Sequence, residues 1–403
     1  MSSFHEEALW VAARTHGVSL FGAGRFARDV AAALAARGVR VHGFLVSGVP
    51  GQPTLDDLPV RQITAENLAE SPVWVGVFNR EAHSDYAALA ALLLGVQPEA
   101  QLVWPQAYYG ALAEALGFRF WLQPLAAYQQ PGVQDAIAQA RELLADAPSR
   151  QAFDAVLAFR TDPQRFMCPP QPQDEVQYLP TWLRQTLAER GVESLRLVDG
   201  GAYRGETVRE LGALIPIAQA WTFEPDAENY AHLVRNLADW PTPITHIPAG
   251  LSDTAGSASF TSGMGEASSL GAAGTHRVPV VGTSQTPEKS HAGTSNHKVN
   301  QQLSGTPGGK NEVLRSILVS LDECVHRADI NFIKFDLEGH EMPALQGSRR
   351  TLAQRQPVMS IAGYHRWDDL WRIPLWLQAL NPAYRLRLVE HAYNSFDAVI
   401  YAV

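Results

Sequence analysis

The sequence predicts an α/β protein in which strands and helices alternate around two sheets, each mostly parallel with helices on both faces. Two apolar runs, beginning at Val18 and at Leu195, end in glycine-rich turns that lead into amphipathic helices. The chain closes with two alternating runs, residues 384–392 and 396–403, joined by three residues, which predicts an antiparallel hairpin. Because 403 residues exceed one ordinary core, we expect more than one domain.

Composition argues against several classes of partner. The formal net charge is −9 and no stretch concentrates lysine and arginine, so we expect no nucleic-acid partner. The start of the chain carries acids where a signal peptide needs basic residues, and the longest apolar run, residues 87–96, is about half a membrane span. The two cysteines have no motif spacing. We therefore expect a cytoplasmic protein with no membrane partner, and a homo-oligomer is compatible with the sequence.

The first domain is predicted to span residues 1–125. Residues 18–45 read as strand, glycine turn, helix and second strand, and residues 73–78 and 102–104 add further strands. Gly22, Gly24 and Ala27 have the G-x-G-x-x-A form of a dinucleotide-binding turn. However, the acid expected about 20 residues later is absent, and only Ser47 is polar there. This predicts a Rossmann-like α/β domain with a structural or regulatory role in preference to a nicotinamide site.

Residues 126–172 are predicted to be a helical connector followed by a proline-rich linker. The pattern of residues 133–159 is helical and is broken at Pro148, whereas residues 162–180 have the proline density of an extended segment. Tyr178, Pro180 and Trp182 either reach a substrate or anchor the linker, and anchoring is the expectation. The second domain then spans residues 173–403.

The second glycine turn, LVDGGAYRGET at residues 197–207, is the stretch around which this domain is organised. Gly200, Gly201 and Gly205 let the backbone approach a ligand closely, and ligands of doubly wound sheets bind outside the carboxyl ends of the strands. Glu224 ends the next strand about 20 residues later, where a ribose-binding acid belongs. A third strand, residues 246–250, is followed by Leu251, Ser252 and Asp253, where an adenine edge would lie.

Polar residues also gather at the ends of the fourth and fifth strands. The fourth, within residues 331–341, brings Asp336, Glu338, His340 and Glu341 to its tip. Acids at a helix start are favoured by the helix dipole alone, yet Asp336 precedes the helix and lies at the expected ligand crevice. The fifth strand, residues 357–362, is followed by His365. We expect functional roles for Asp336 and Glu338, whereas His365 alone is more typical of a structural histidine.

A polar stretch separates the third and fourth strands. Residues 278–311 are dominated by Gly, Ser, Thr, Pro, Asn and Gln, and beyond the first four residues they could not bury a core. So long a loop is either a mobile insert, which we expect, or a lid that sets specificity.

The second domain resembles the FkbM family of S-adenosylmethionine-dependent methyltransferases over residues 195–403. Four motifs in order carry the resemblance: VDGGAYRGE, FEPD, GLSD and IKFDLEGHE. It implies a class I methyltransferase-type doubly wound sheet ending in the antiparallel hairpin. Two features depart from the family pattern: Gly200 to Tyr203 replace the usual Val-Gly-Ala-Asn, and the polar insert is longer.

The resemblance also implies roles for individual residues. Asp199 would meet the ammonium group of S-adenosylmethionine, the glycine turn would pass beneath its methionine part, and Glu224 would hold its ribose. The expected cofactor residues are Asp199, Gly200, Gly201, Ala202, Gly205, Glu206, Thr207, Glu224, Pro225, Leu251, Ser252 and Asp253.

An alcohol acceptor needs a base, because a free hydroxyl is a poor nucleophile at neutral pH. Asp336 and His365 are the candidates, and Glu338 would orient one of them. Alternatively, Asp336, Glu338 and His365 collect a divalent metal ion that lowers the hydroxyl pKa.

The function expected from the sequence is O-methylation of a hydroxyl on a sugar, a glycan precursor or a polyketide-like small molecule. The acceptor partner is then a small molecule or carbohydrate. Two alternatives use the Rossmann-like domain: an NAD(P)-dependent oxidoreductase and a nucleotide-sugar binding protein. The missing acid after the first glycine turn disfavours the oxidoreductase.

Overall fold

A computed structural model describes residues 2–78, 85–113, 115–116, 123, 125–162, 168, 176–261, 313–325 and 328–403. Helices and strands alternate along the described chain, and two of its sheets are mostly parallel. The predicted α/β class is therefore confirmed. Most of the proline-rich linker and the whole polar insert at residues 278–311 lie outside the described residues.

The first sheet has six strands in the order β3-β4-β2-β1-β5-β6. Each neighbouring pair is parallel except β3 with β4, which form an antiparallel edge. The chain moves outward from β1 on one side and returns to its other side at β5, so the strand order reverses beside β1. The elements in chain order are α1 (Ser2–His16), β1 (Val18–Phe21), α2 (Arg25–Ala36), β2 (Val41–Val46), β3 (Thr54–Leu55), β4 (Leu58–Gln62), α3 (Ala65–Ala69), β5 (Val73–Val75), α4 (Tyr86–Val96), β6 (Leu102–Val103) and α5 (Pro105–Leu112).

Three helices follow in the predicted connector: α6 (Leu125–Tyr128), α7 (Pro131–Glu142) and α8 (Ala147–Thr161). Pro148 lies in the first turn of α8, where its missing N–H costs nothing, and the Asp146 side chain accepts a hydrogen bond from the Ser149 N–H. The helical pattern and its interruption at Pro148 are as the sequence predicts. The domain boundaries themselves stay a prediction.

The second sheet has seven strands in the order β15-β16-β14-β13-β7-β8-β9. Its strands are parallel except that β16 runs antiparallel between β14 and β15. The predicted terminal hairpin is thus confirmed. The elements are α9 (Thr181–Glu189), β7 (Leu195–Gly200), α10 (Glu206–Leu214), β8 (Ile217–Phe223), α11 (Ala227–Asn236), β9 (Ile244–Ile247), β10 (Gly250–Leu251), β11 (Gly256–Thr261), β12 (Val313–Val319), α12 (Leu321–Cys324), β13 (Phe332–Phe335), α13 (Glu341–Gln346), α14 (Arg349–Arg355), β14 (Val358–Ala362), α15 (Asp369–Leu380), β15 (Leu386–Glu390) and β16 (Ala398–Ala402).

One predicted strand is wrong in its extent. The third strand of the second sheet was expected to reach Gly250, but β9 ends at Ile247. Gly250 and Leu251 form β10, which pairs with β12 in a separate sheet of order β10-β12-β11. The chain changes sheets here because the Ala249 N–H bonds back to the Ile247 carbonyl in a tight turn.

The centre of the second sheet places the site. β7 lies between β13 and β8, and Asp199 pairs in register with Lys334 on one side and with Thr222 on the other. β13 and β14 are buried along their whole length, as expected of parallel strands covered on both faces. Because parallel strands end at the same edge, the residues that follow β7, β8, β13 and β14 meet there.

The two halves of the chain share one apolar core. The rings of Phe78 and Phe396 lie 5.0 Å apart, and those of Tyr128 and Trp371 lie 5.9 Å apart. Arg160 on α8 is buried and donates from Nε to the Ser395 hydroxyl at 2.8 Å. Within the described chain, no helix combines the length and the apolar character that crossing a bilayer requires.

Candidate active site

The glycine turn after β7 is fixed by backbone contacts. The N–H groups of Gly201 and Ala202 both donate to the Phe223 carbonyl at 3.0 Å, which folds the turn over the end of β8. Gly201 has a φ of 72°, and a Cβ there would collide with the Asp336 carbonyl oxygen. Only glycine therefore allows β7 and β13 to approach so closely at this edge.

Glu224, at the end of β8, presents a buried carboxylate to this turn. Its Oε2 accepts the Tyr203 N–H at 2.9 Å and its Oε1 accepts the Asp226 N–H at 2.9 Å. Burial raises the pKa of Glu224 to about 7, although these two backbone hydrogen bonds favour the charged form. The carboxylate is thus held rigidly at the edge of the sheet and titrates near neutral pH.

Lys334 and Asp199 form a buried ion pair beneath the turn. Lys334 Nζ lies 3.1 Å from Asp199 Oδ1 and donates to the carbonyls of Gly200 at 3.2 Å and Gly201 at 2.7 Å. Burial lowers the pKa of Lys334, but the carboxylates of Asp199 and Asp336 raise it by more, so the ammonium stays charged. The pair therefore fastens the glycine turn to β13.

Asp336, at the end of β13, lies among polar side chains from its own loop and from two other segments of the chain. Its Oδ2 accepts the Tyr178 hydroxyl at 2.7 Å, and its Oδ1 lies 3.4 Å from His365 Nε2. Glu338 Oε2 lies 3.7 Å from the same nitrogen. The structure thus brings the three predicted catalytic residues, Asp336, Glu338 and His365, into one cluster.

His365 is oriented by Glu341, which the sequence did not assign. The distance from His365 Nδ1 to Glu341 Oε1 is 2.7 Å, and the same oxygen accepts the Leu337 N–H at 2.7 Å. Burial lowers the pKa of His365, but Glu341, Glu338 and Asp336 raise it well above its usual value. Glu341 thus makes the hydrogen bond that orients His365, and Glu338 lies near the other ring nitrogen. The expectation that Glu338 orients Asp336 or His365 stays a prediction.

A cavity of about 290 Å³ opens at this edge of the sheet. It extends from the glycine turn and Glu224 to Asp336. Its lining residues are Gln177, Tyr178, Gly201, Ala202, Tyr203, Glu206, Thr207, Glu210, Phe223, Glu224, Pro225, Asn229, Gly250, Leu251, Lys334, Asp336, Leu337, Glu338, His340, Tyr364 and Asp397. Carboxylates outnumber cationic side chains in this set, so the cavity suits a positively charged ligand.

The expected cofactor residues fall into two groups. Those lining the cavity are Gly201, Ala202, Glu206, Thr207, Glu224, Pro225 and Leu251. Those outside its described lining are Asp199, Gly200, Gly205, Ser252 and Asp253. Asp199 faces Lys334 beneath the turn, and Ser252 is buried and donates to the Asp253 carboxylate at 3.1 Å. The roles of all twelve in cofactor binding stay predictions.

Several residues that line the cavity were not assigned to the site from the sequence. For Tyr178 anchoring of the linker was the expectation and contact with a substrate the alternative. Its hydroxyl donates to Asp336, and its carbonyl accepts the Ser360 hydroxyl at 2.8 Å. Tyr364 and Asp397 line the cavity and received no role. The signal for Tyr364 was its place two residues after a buried strand and beside His365. Asp397 comes from the turn before β16 and carried no comparable signal.

The first glycine turn has the same outline and different surroundings. Gly22 has a φ of 110°, and Gly24 precedes α2. A cavity of about 430 Å³ lies beside it, lined by Ala23, Val46, Gly48, Val49, Pro50, Gly51, Gln52, Leu55 and Val60. No carboxylate occurs among these described lining residues, which agrees with the missing acid noted in the sequence.

Residues 199–393 match the family model described as the methyltransferase FkbM domain. This part of the chain is an FkbM methyltransferase domain. The predicted resemblance is thereby confirmed, and the matched range contains the glycine turn, Glu224 and the Asp336 cluster. A search of curated protein sequences finds no match.

The fold is also similar to a solved structure, the methyltransferase FkbM from Methylobacillus flagellatus. The TM-score is 0.65 at 17% sequence identity, and the likeness covers 100% of this chain and 93% of the other. The likeness therefore includes both sheets. The Rossmann-like assignment of the first sheet stays a prediction.

Proposed function

We propose that the protein is an S-adenosylmethionine-dependent O-methyltransferase that acts on a hydroxyl of a sugar, a glycan precursor or a polyketide-like small molecule. The observation that supports this most is the acidic cavity of the FkbM methyltransferase domain, bounded by a glycine turn at one end and by Asp336 at the other. A donor and an acceptor would meet between these ends.

The charge of the cavity fits the methyl donor. S-adenosylmethionine supplies an electrophilic methyl group on a positively charged sulfur when it is bound. The carboxylates lining the cavity are Glu206, Glu210, Glu224, Asp336, Glu338 and Asp397. The charge of Lys334 is already compensated by Asp199, so the lining keeps its negative character. A sulfonium would therefore be attracted to this cavity and an anionic donor would be repelled.

Glu224 would accept hydrogen bonds from the ribose hydroxyls of the donor. Two backbone N–H groups already fix its carboxylate, so little side-chain entropy is lost on binding. Gly201 and Ala202 would lie beneath the methionine part, where Lys334 holds the Gly201 carbonyl. These residues bind and orient the donor and take no part in proton transfer.

Asp336 would take the proton of the acceptor. As the methyl group leaves the sulfur, the acceptor oxygen forms a bond to carbon and loses its proton, and a carboxylate in contact must receive that proton. Asp336 lines the cavity. His365 is not among the residues described as lining the cavity, and its Nε2 lies 3.4 Å from Asp336 Oδ1. The geometry thus favours Asp336 as the base and His365 as the residue that positions it.

The acceptor end of the cavity suits a polyhydroxylated molecule. Tyr178 and Tyr364 offer aromatic surface, and Asp336, Glu338 and Asp397 offer hydrogen-bond acceptors. Sugar rings have the same combination of apolar faces and hydroxyl groups. This composition supports a carbohydrate-like acceptor ahead of a wholly apolar one.

The test has two parts. Isothermal titration with S-adenosylmethionine should give saturable heat with the wild-type protein and with Asp336→Asn. Transfer of tritiated methyl from the donor to a panel of monosaccharides and polyketide alcohols should then fall about 100-fold or more in Asp336→Asn, the magnitude expected for loss of a general base.

Two results would contradict the proposal. One is the absence of any donor binding at millimolar S-adenosylmethionine. The other is a labelled product that alkali releases, since an ester would show transfer to a carboxylate, whereas the ether expected here is stable.

A further inference from the structure

We propose that Asp336, Glu338 and His365 form a binding site for a divalent cation, with Glu341 as the outer partner of His365. The cation itself would bind whether or not the domain transfers methyl groups. Its use in catalysis, activation of the acceptor hydroxyl, rests on the proposed function.

Two distances to His365 are close to those between neighbouring ligands of one small cation. Asp336 Oδ1 and Glu338 Oε2 lie 3.4 Å and 3.7 Å from His365 Nε2. Ligand atoms bound to one metal at about 2.1 Å lie roughly 3 to 3.5 Å apart, so each of these carboxylate oxygens lies close to the distance from Nε2 that a shared cation requires. Asp336 and Glu338 both line the cavity, so the cation would remain open to the acceptor.

The outer ring nitrogen of His365, Nε2, points to a ligand at this place. The His365 side chain is only 7% exposed, and its Nε2 has no hydrogen-bond partner among the described residues although it faces two carboxylates. A buried polar atom without a partner is costly, and a bound cation would satisfy it. Tyr178 donates its hydrogen bond to Oδ2 of Asp336, and Oδ1 of Asp336 lies 3.4 Å from His365 Nε2.

Glu341 has the position of an outer partner. The ligand atoms of Asp336, Glu341 and His365 lie within 4.8 Å of one another, so Glu341 belongs to the same cluster. However, its Oε1 lies 2.7 Å from Nδ1, on the opposite side of the imidazole ring from Nε2, and also accepts the Leu337 N–H. Histidines that bind metals commonly donate their other N–H to a carboxylate, which fixes the tautomer and the ring orientation.

The backbone holds Glu338 in an uncommon conformation. Its φ of 52° is left-handed, and Gly339 follows with a φ of 94°. Arg366 Nε donates to the Gly339 carbonyl at 2.6 Å and so fixes the turn from outside. A left-handed conformation of a non-glycine residue is strained and persists where the surroundings enforce it. Here the turn places the Glu338 carboxylate within reach of His365.

The ligand set indicates the class of cation. Two carboxylates and one imidazole, with positions left for water or substrate, suit Mn²⁺ and related first-row ions better than Ca²⁺, which prefers oxygen alone. Such a cation would bind the acceptor oxygen and lower its pKa, while Asp336, bound through one oxygen, keeps the other for the proton. Two neighbouring hydroxyls of a sugar could share its open positions.

The experiment is a titration of the full chain with Mn²⁺ after chelator treatment, followed by electron paramagnetic resonance of the free ion. We expect one tight site per chain that is lost in His365→Gln and weakened at least tenfold in Glu338→Gln. Glu341→Gln should weaken it roughly 10- to 100-fold, as expected for an outer partner. Glu210→Gln, a lining carboxylate outside the cluster, should leave the affinity unchanged.

Equal Mn²⁺ binding by the wild-type protein and His365→Gln, or no binding by either, would overturn the cation site. Glu338 is partly exposed, with 31% of its side chain accessible, so its variant tests the site even if His365→Gln does not fold. Titration with S-adenosylmethionine in the absence of metal separates the two proposals, because donor binding at Glu224 does not need the cation.

Discussion

The two glycine turns of this protein share a backbone plan and differ in what surrounds them. Each follows a central strand, β1 or β7, and leads into a helix. The second turn faces the Glu224 carboxylate at the end of the next strand, whereas the corresponding position after β2 offers Ser47. Beneath the second turn lies the Lys334–Asp199 pair, and the cavity beside it is rich in carboxylates. The cavity beside the first turn has none in its described lining.

This difference shows that a glycine turn supplies access and its neighbours supply the chemistry. The absence of a Cβ lets a ligand or another strand approach in both places. Only at the second turn does the neighbouring strand place a charged group within reach of that ligand. The proposed donor site therefore depends on Glu224 more than on the glycines.

The largest expected effect is on folding, in Gly201→Ala. The new Cβ would meet the Asp336 carbonyl, and the residue would keep a φ of 72°, so we expect unfolding free energy to fall by about 3 kcal/mol. Gly24→Ala is the matched variant in the first turn, where no atom lies within 4 Å of the added Cβ. It should change stability by less than about 0.5 kcal/mol. Urea denaturation of both variants measures the change in unfolding free energy. Equal losses of stability would show that the two turns do not differ in how closely other atoms pack against the glycine.

The next effect is on donor affinity, in Glu224→Ala. Two hydrogen bonds to a charged group are lost, which corresponds to about 100-fold weaker binding of S-adenosylmethionine. Ser47→Ala, at the matching place in the first half, should leave the affinity unchanged. Isothermal titration compares the two variants. A loss of affinity in Ser47→Ala would show that the donor binds at the first turn, which would contradict the proposed site.

A smaller effect follows from the pKa of Glu224. Because burial raises this pKa to about 7, the carboxylate is mostly protonated at pH 6 and mostly charged at pH 8. Donor affinity should therefore rise with pH, and should be roughly tenfold weaker at pH 6 than on the alkaline plateau. Titrations across this range test the sign. In Glu224→Gln the dependence should flatten, and an unchanged slope would show that another group titrates.

The smallest expected effect belongs to an ion pair of the first half. Arg28 donates from Nε to Asp56 at 2.6 Å, but about half of each side chain is exposed. Solvent screens such pairs, so Arg28→Ala should cost at most about 0.5 kcal/mol and leave donor binding intact. Thermal unfolding checks the first statement, and a loss above about 1 kcal/mol would show that the pair stabilises the first half more than its exposure suggests.

The fold was largely predictable because its signals are local. Each strand of the second sheet shows as an apolar run followed by a turn, and the short link before β16 requires an antiparallel neighbour. The change of sheet after Ile247 was not predicted. One continuous strand has the same apolar pattern as a strand that is followed by a tight turn and a second strand of two residues. The relative order of distant strands, by contrast, was not predicted, and only the structure shows it.

The candidate site was predictable only in part. Lys334 interrupts the buried strand β13, which indicates a buried charge that needs a partner, but its register opposite Asp199 is a tertiary property. Tyr178 and Asp336 are 158 residues apart, and nothing in either segment predicts their contact. Glu341 was read as a favourable acid at a helix start, and only the structure shows it holding His365.

Hydrogen–deuterium exchange with and without S-adenosylmethionine shows which glycine turn binds the donor, because it reports on both turns in one experiment. We expect the donor to slow the exchange of the amides at residues 199–207 and 224–226 and to leave residues 22–27 unchanged. Protection at residues 22–27 without protection beside Glu224 would contradict this expectation.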